Sequence, residues 1–450
     1  MLNEIIDKNF DDMLVKFSQI IRIPSIGSDA KPGMPYGEKC AEVLAKFLEL
    51  ASDEGFYTKN HDNYVGTIEY NKKPVRLGVL CHLDVVPVNK DDWTYDPFIT
   101  EIHNGRIYGR GAIDNKGPAI AVLFALKAIK ESGTDLTHNV RFIVGCDEER
   151  GSSDLEHYMK TEKMPPMVFT PDGDYPVINI EKGMLRLRFS QNIIMKHIKS
   201  ISGGSVVNAV PAIATAVIAD LSLDDIKGSN KSISILQEND GIRVTYKGMA
   251  AHASTPSLGD NAITGLIEFL RQQKIDDNEK NILSLLGDRF PHNDTAGTGL
   301  GIQISDDKSG ALTEVLSIIN YSNGVFECKM DIRYPVTGNK DIIINKVRER
   351  LSSAGFDLFD DIANNPHIVD ENSEFIKTLL NVYHEQTGLE TYCKAIGGGT
   401  YVHDIEGGVA FGAEFPGDIN NMHGNDESIT LESLKLNTKI IANAIYQICR

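Results

Sequence analysis

Two histidines and three carboxylates in this sequence stand where they could share divalent ions: His82, Asp114, Glu149, Asp172 and His423. His82 belongs to Cys81-His82-Leu83-Asp84, which closes the apolar run VRLGVLCHL. A ligating imidazole needs a partner that fixes its tautomer, and Asp84, two residues on, can supply one. Asp114 lies in GRGAIDNKG, whose glycines allow a tight turn ahead of a long apolar helix. Its ordinary role there is a helix N-cap; its other role is a carboxylate bridging two cations. Asp147-Glu148-Glu149 follows a second apolar run, NVRFIVGC. Three acids at a buried strand's end repel one another unless cations or solvent relieve them. One Glu can then bind metal while its neighbour works as a base. Asp172 stands in TPDGDYP, which alone reads as a turn. His423, in NNMHGNDE, is alone a loop residue.

Their company changes the reading. Imidazoles mixed with carboxylates suit two divalent ions of borderline character, and a set without cysteine fits a catalytic site. One carboxylate bridging two ions about 3.5–4 Å apart is the usual arrangement for metal-assisted hydrolysis.

The elements that must position these residues follow from periodicity. Apolar residues at helical spacing predict helices over 3–23, ended by Pro24, and over 36–52. Short apolar runs predict buried strands over 75–83, 139–146 and 167–170, with a helix over 116–132 between the first two. Strands alternating with helices predict an α/β domain with a mostly parallel central sheet flanked by helices. After Gly183 the pattern becomes alternating, over 184–191, 232–246 and 326–334, which predicts strands with one solvated face. Helices are expected near 212–224, 261–273 and 341–354. From about Val369 the first pattern resumes, with a helix over 374–387, a glycine-rich turn at 397–399, a strand at 408–411 and a last helix from Leu431. The expected organisation is a discontinuous catalytic domain, 1–183 with 366–450, and an inserted α+β domain, 184–365.

The whole chain narrows the classes. Its 450 residues are 41% hydrophobic and 24% charged, ordinary for a soluble globular protein. With 45 basic and 63 acidic residues the net charge is −18. Such a surface argues against nucleic acid, which needs clustered Lys and Arg, and against an anionic membrane. The six cysteines are scattered without a C-x-x-C pair, so free thiols in a reducing compartment are expected. The N-terminus has neither a basic nor an apolar signal region, and no apolar run reaches about 18 residues. A cytoplasmic protein is expected.

The motifs HLDVVP, GRGAIDNKG, CDEERGSSD, TPDGDYP, GGSVVNAVP, GMAAHAS, DIRYP, GGGTY and NNMHG follow one another in an order that resembles a known family. It is the di-zinc carboxypeptidase and aminoacylase family of metallopeptidases, and within it the PepV-type bacterial dipeptidases, essentially from end to end. The resemblance implies two divalent ions per chain, Zn²⁺ or Mn²⁺. His82 and Asp172 would bind one, Glu149 and His423 the other, and Asp114 would bridge them. Asp84 would orient His82, and Glu148 would be the general base that activates the attacking water. The inserted domain would be the lid. In it His252 would stabilise the oxyanion, and Asn208 and Arg333 would hold the substrate carboxylate. The implied activity is hydrolysis of short peptides, mainly dipeptides, by a chain that leans monomeric, with a homodimer as the other possibility. An N-acyl amino acid deacylase or a succinyl-diaminopimelate-type amidase is the alternative. Two departures stand out: Val402-His403 follows GGGTY where many relatives carry a small residue and Arg, and Asp172 replaces the Glu of some relatives.

Overall fold

The apolar runs of the N-terminal part become neighbouring strands of one sheet. In the computed structural model, which describes all residues except 227, 229 and 230, the chain forms two compact units. The first comprises Met1–Asn179, Ile368–Lys394 and Gly399–Arg450; the second comprises Ile180–His367 and Ala395–Gly398.

The main sheet runs in the order Tyr57–His61, Val65–Glu69, Asn139–Gly145, Val75–His82, Met167–Thr170, Gly408–Ala410, Val177–Glu181. The central four strands are parallel, and antiparallel neighbours flank them. The expected α/β class with a largely parallel centre is therefore what the chain adopts. Period-two alternation gives both faces a core. Leu77, Val79, Cys81, Phe142 and Val144 join the large cluster that includes the helices Phe10–Ile21, Glu38–Asp53, Lys116–Glu131 and Leu431–Cys449. Leu80, Ile143 and Val168 face the other way, onto Leu155, Tyr158, Tyr401 and Val402. The strands are buried on both faces, which is why they read as continuous apolar runs.

The second unit has an eight-stranded antiparallel sheet, in the order Ile233–Glu238, Gly241–Lys247, Ile213–Ile218, Ile198–Gly203, Thr313–Ser322, Val325–Tyr334, Gly183–Asn192, Asp357–Asn364. Leu185, Leu187 and Phe189 point to one face, where the helices Ala262–Leu270, Asp277–Arg289 and Lys340–Ser352 complete the core.

Two local expectations fail, and one helix was not expected. Residues 212–224 do not form the expected helix: Ile213–Ile218 is a strand between Ile198–Gly203 and Gly241–Lys247, and only a 3-10 turn, Leu223–Asp225, follows it. Its alanines are compatible with a helix, but the β-branched Ile213, Thr215, Val217 and Ile218 fit a pleated surface, and sheet pairing decides. The N-terminal helix is two, Leu2–Lys8 and Phe10–Ile21, separated at Asn9. The helix Asp277–Arg289 went unread although Asp276 and Glu279 form a capping box at its start.

Candidate metal centre

His82 is the last residue of its strand, on the same face as Leu80, and is fully buried. Its Nδ1 lies 3.0 Å from the Asp84 carbonyl oxygen and 3.4 Å from the Asp84 carboxylate. Its Nε2 lies 2.9 Å from Asp114 Oδ1 and 3.6 Å from Asp172 Oδ1. Burial alone would lower the imidazole pKa; the Asp172, Asp114 and Asp84 carboxylates outweigh it and raise it well above the usual value.

Asp114 does not cap the following helix, since Asn115 occupies that position. The Asp114 carboxylate divides between two histidines. Oδ1 faces His82 Nε2, and Oδ2 faces His423 Nε2 at 2.6 Å. These contacts hold its pKa far below the usual carboxylate range despite burial. Asn115 donates through Nδ2 to the Pro171 carbonyl at 2.8 Å and to Asp172 Oδ1 at 3.1 Å, which sets Asp172 beside the same imidazole.

Glu149 completes the arrangement. Its Oε1 is 3.2 Å from His423 Nε2 but is buried without a well-formed hydrogen bond. Burial, then the Asp114 charge, push the Glu149 carboxyl up to about 7. The Asp114 and Glu149 carboxylates facing its ring push His423 up to about 11. Burial and then Asp172 raise Glu148 well above the usual range. Asp84 has a second task here, because its two oxygens accept the backbone N–H groups of Glu148 at 3.3 Å and Glu149 at 3.1 Å.

Several positioning groups escaped the sequence reading. Asp154 Oδ2 accepts the N–H of Cys146 at 2.7 Å, the N–H of Asp147 at 3.0 Å and the Tyr401 hydroxyl at 2.6 Å. It thereby fixes the turn that carries both glutamates. Gly145 makes room for this, since a Cβ there would stand 1.6 Å from the Tyr401 hydroxyl oxygen. Glu427 is fully buried, and its Oε1 accepts the N–H groups of Gly111, Ile113 and Asp114. Its partner Arg110 also donates to the carbonyls of His423 and Gly424. The only sequence signal for these residues was their place inside the motifs.

The second unit's candidates converge among themselves. Ala209 and His252 are partners in a short antiparallel ribbon, and the Asn208 carbonyl accepts the Ala253 N–H at 2.9 Å. Thr313, the register partner of Arg333, donates its hydroxyl to the Ala253 carbonyl at 3.1 Å. Arg333 donates to Asp331 through Nε at 2.5 Å and Nη2 at 3.0 Å, and to the Gly397 carbonyl through Nη1 at 2.9 Å. Gly397 packs on Ser254, where a Cβ on the glycine would stand 2.6 Å from Ser254 Cβ. Ser254 in turn meets His252 Nδ1 twice, through its N–H at 3.3 Å and its hydroxyl oxygen at 2.6 Å.

Two overlapping sets of potential ligand atoms, His82 with Asp114 and Glu149, and His82 with Glu148 and Asp172, each lie within 4.8 Å of one another. His423 contacts Asp114 and Glu149 from a half-exposed loop position. Among the described residues, no lysine or arginine pairs with Asp84, Asp114, Glu148, Glu149 or Asp172. Carboxylates gathered around two imidazoles with no lysine or arginine among them, and an orphaned Glu149 oxygen, fit divalent ions of borderline hardness.

A mixed sheet that gathers imidazoles and carboxylates at its strand ends is the layout of a metallohydrolase. The chain belongs to peptidase family M20/M25/M40, whose model matches residues 78–447. It is a peptidase. YtjP of Bacillus subtilis (strain 168) is 38% identical over 99% of both chains. The Beta-Ala-Xaa dipeptidase of Lactobacillus delbrueckii subsp. lactis is 34% identical, over 99% of this chain and 98% of that one. Human carnosine dipeptidase 1 shares the fold at 15% identity, with a TM-score of 0.64 over 100% of this chain and 98% of that structure.

Proposed function

We propose that the protein is a dipeptidase that uses two divalent ions, Zn²⁺ or Mn²⁺. The observation that carries this reading is the Asp114 carboxylate, which offers one oxygen toward His82 and the other toward His423. In the proposed site His82 and Asp172 hold one ion, Glu149 and His423 hold the other, and Asp114 serves both. Ions bound there supply Lewis acidity and lower the pKa of a water molecule toward neutrality.

The chain's own residues do the rest. Glu148 is the proposed general base, taking a proton from the attacking water and delivering it to the leaving amine. A carboxyl whose pKa is raised by burial and by Asp172 suits both halves of that task. Asp84 holds the His82 ring and the backbone of Glu148 and Glu149, so base and ligand keep one registration. His252 is assigned the oxyanion donor, and Ser254 holds its ring through Nδ1. Asn208 and Arg333 are assigned the substrate carboxylate. Asp331 and Gly397 use three of Arg333's N–H groups, which fixes its plane and leaves donors over. The second unit, 180–367 with 395–398, is assigned the role of lid domain. We place the enzyme in the cytoplasm as a monomer acting on soluble peptides; six free thiols support a reducing compartment.

The substrate class is tested with matched dipeptides, tripeptides and N-acyl amino acids. Preferred cleavage of dipeptides supports the reading. Preferred cleavage of N-acyl amino acids transfers it to a deacylase.

A further inference from the structure

Within the second unit lies a cavity of about 240 Å³ that the proposed chemistry does not use. Its walls include Val210, Asn261, Thr264, Asp294, Glu314 and Val315. Glu314 is the unusual member. It is 2% exposed, and its Oε1 meets no hydrogen-bond donor. Two other buried carboxylates of the unit make the contrast. Glu279 accepts the backbone N–H groups of His197, Ile198 and Asp276, and Asp331 is held by Arg333 and Arg186. Among the described residues, no cation lies within ion-pair reach of Glu314, and no lysine or arginine lines the cavity. Burial, with the nearby Asp294, drives the Glu314 carboxyl well above its usual range.

Buried without a partner, the carboxyl keeps its proton; a cation entering the cavity beside it favours the ionised form, and the proton leaves to solvent. Asp294 is not the receiving group. Its oxygens already accept the N–H groups of Ala296, Thr298 and Gly299 and the Thr298 hydroxyl. Asn261 is committed too, accepting the N–H groups of Ile263 and Thr264 and donating to the Leu316 carbonyl. The volume selects the ligand. A water molecule takes about 30 Å³, so the space is several times what a bare metal ion needs. The apolar lining of Val210, Val315 and Leu316 suits a short carbon body. We propose that this cavity is a second binding site, for a small organic ammonium group, with Glu314 as its counter-ion.

The test uses the full chain with ethylammonium as probe, alanine as a zwitterionic ammonium, and tetramethylammonium and K⁺ as controls at equal ionic strength. In methyl-labelled protein, ethylammonium is expected to shift the Val210, Val315 and Leu316 methyl signals saturably. Intermolecular contacts from its CH₃ group to those methyls are expected as well, while tetramethylammonium and K⁺ give neither. Glu314→Gln, which keeps the shape and removes the charge, is expected to weaken binding by at least about tenfold. Equal binding by alanine identifies free amino acids as the ligand source; binding by ethylammonium alone identifies simple amines. Absence of saturable shifts in the unmutated protein overturns the proposal, as does equal binding by Glu314→Gln. Should that variant fail to fold, the intermolecular contacts in the unmutated protein decide alone.

Discussion

The buried guanidinium of Arg110 and the buried carboxylate of Glu427 pair at 2.6 Å, and between them they grip two of the loops of the candidate metal centre. Glu427 takes three backbone N–H groups of the turn that ends in Asp114. Arg110 takes the carbonyls of His423 and Gly424. Two candidate ligands more than three hundred positions apart are thus set by one ion pair.

Glu427→Gln should therefore harm two properties together. Leaving Arg110 buried without its charge partner should cost about 3–5 kcal/mol of stability. Metal affinity should fall about 10–100-fold, as for other groups that orient ligands without touching the ion. Denaturant unfolding and metal titration check this; an unchanged affinity would show that the pair is structural only.

Glu148→Gln should separate binding from chemistry. The variant should take up metal like the parent, while kcat falls by about 10²–10⁴. Metal content and turnover measured on one preparation decide it. Near-parental turnover removes Glu148 from the role of base.

Metal uptake should release protons and strengthen as pH rises. In the metal-free site His423 is raised to about 11 and Glu149 to about 7, so near neutrality the first is protonated and the second partly so. Each must lose its proton to become a ligand. For folding the sign is separate. His423 gains its partners on folding, so its stabilisation of the metal-free protein is fully present below the unfolded value of about 6.5 and fades as pH rises through about 11. Calorimetric titration in buffers of different ionisation enthalpy reads the proton count. A count of zero at pH 7 contradicts this electrostatic picture.

Arg333→Ala should weaken peptides with a free C-terminal carboxylate more than their amides, by about tenfold or more in kcat/KM. Asp331 and Gly397 already engage this side chain, so some loss on both substrates is expected. Equal losses on both would mark Arg333 as a structural residue.

Much of this was legible in the sequence, for a physical reason. Buried parallel strands read as apolar runs, so the polar residue ending each run marked His82, the 147–149 acids and Asp172 in advance. What the sequence hid depends on tertiary contact. Nothing local distinguishes Glu427 from a loop acid, or shows that Asp154 and Tyr401 meet across 247 positions. The strand Ile213–Ile218 stayed hidden because its alanines are compatible with a helix, while only its sheet neighbours reveal the pairing.

The central claim is tested most directly by stripping the protein of metal and assaying a simple L-dipeptide before and after adding Zn²⁺ or Mn²⁺, with Asp114→Asn alongside. The account predicts no cleavage by the stripped protein and recovery with at least one ion. It also predicts little recovery in Asp114→Asn, whose side chain loses the charge facing His82 and His423. Undiminished cleavage by the stripped protein, or full recovery in the variant, would contradict it.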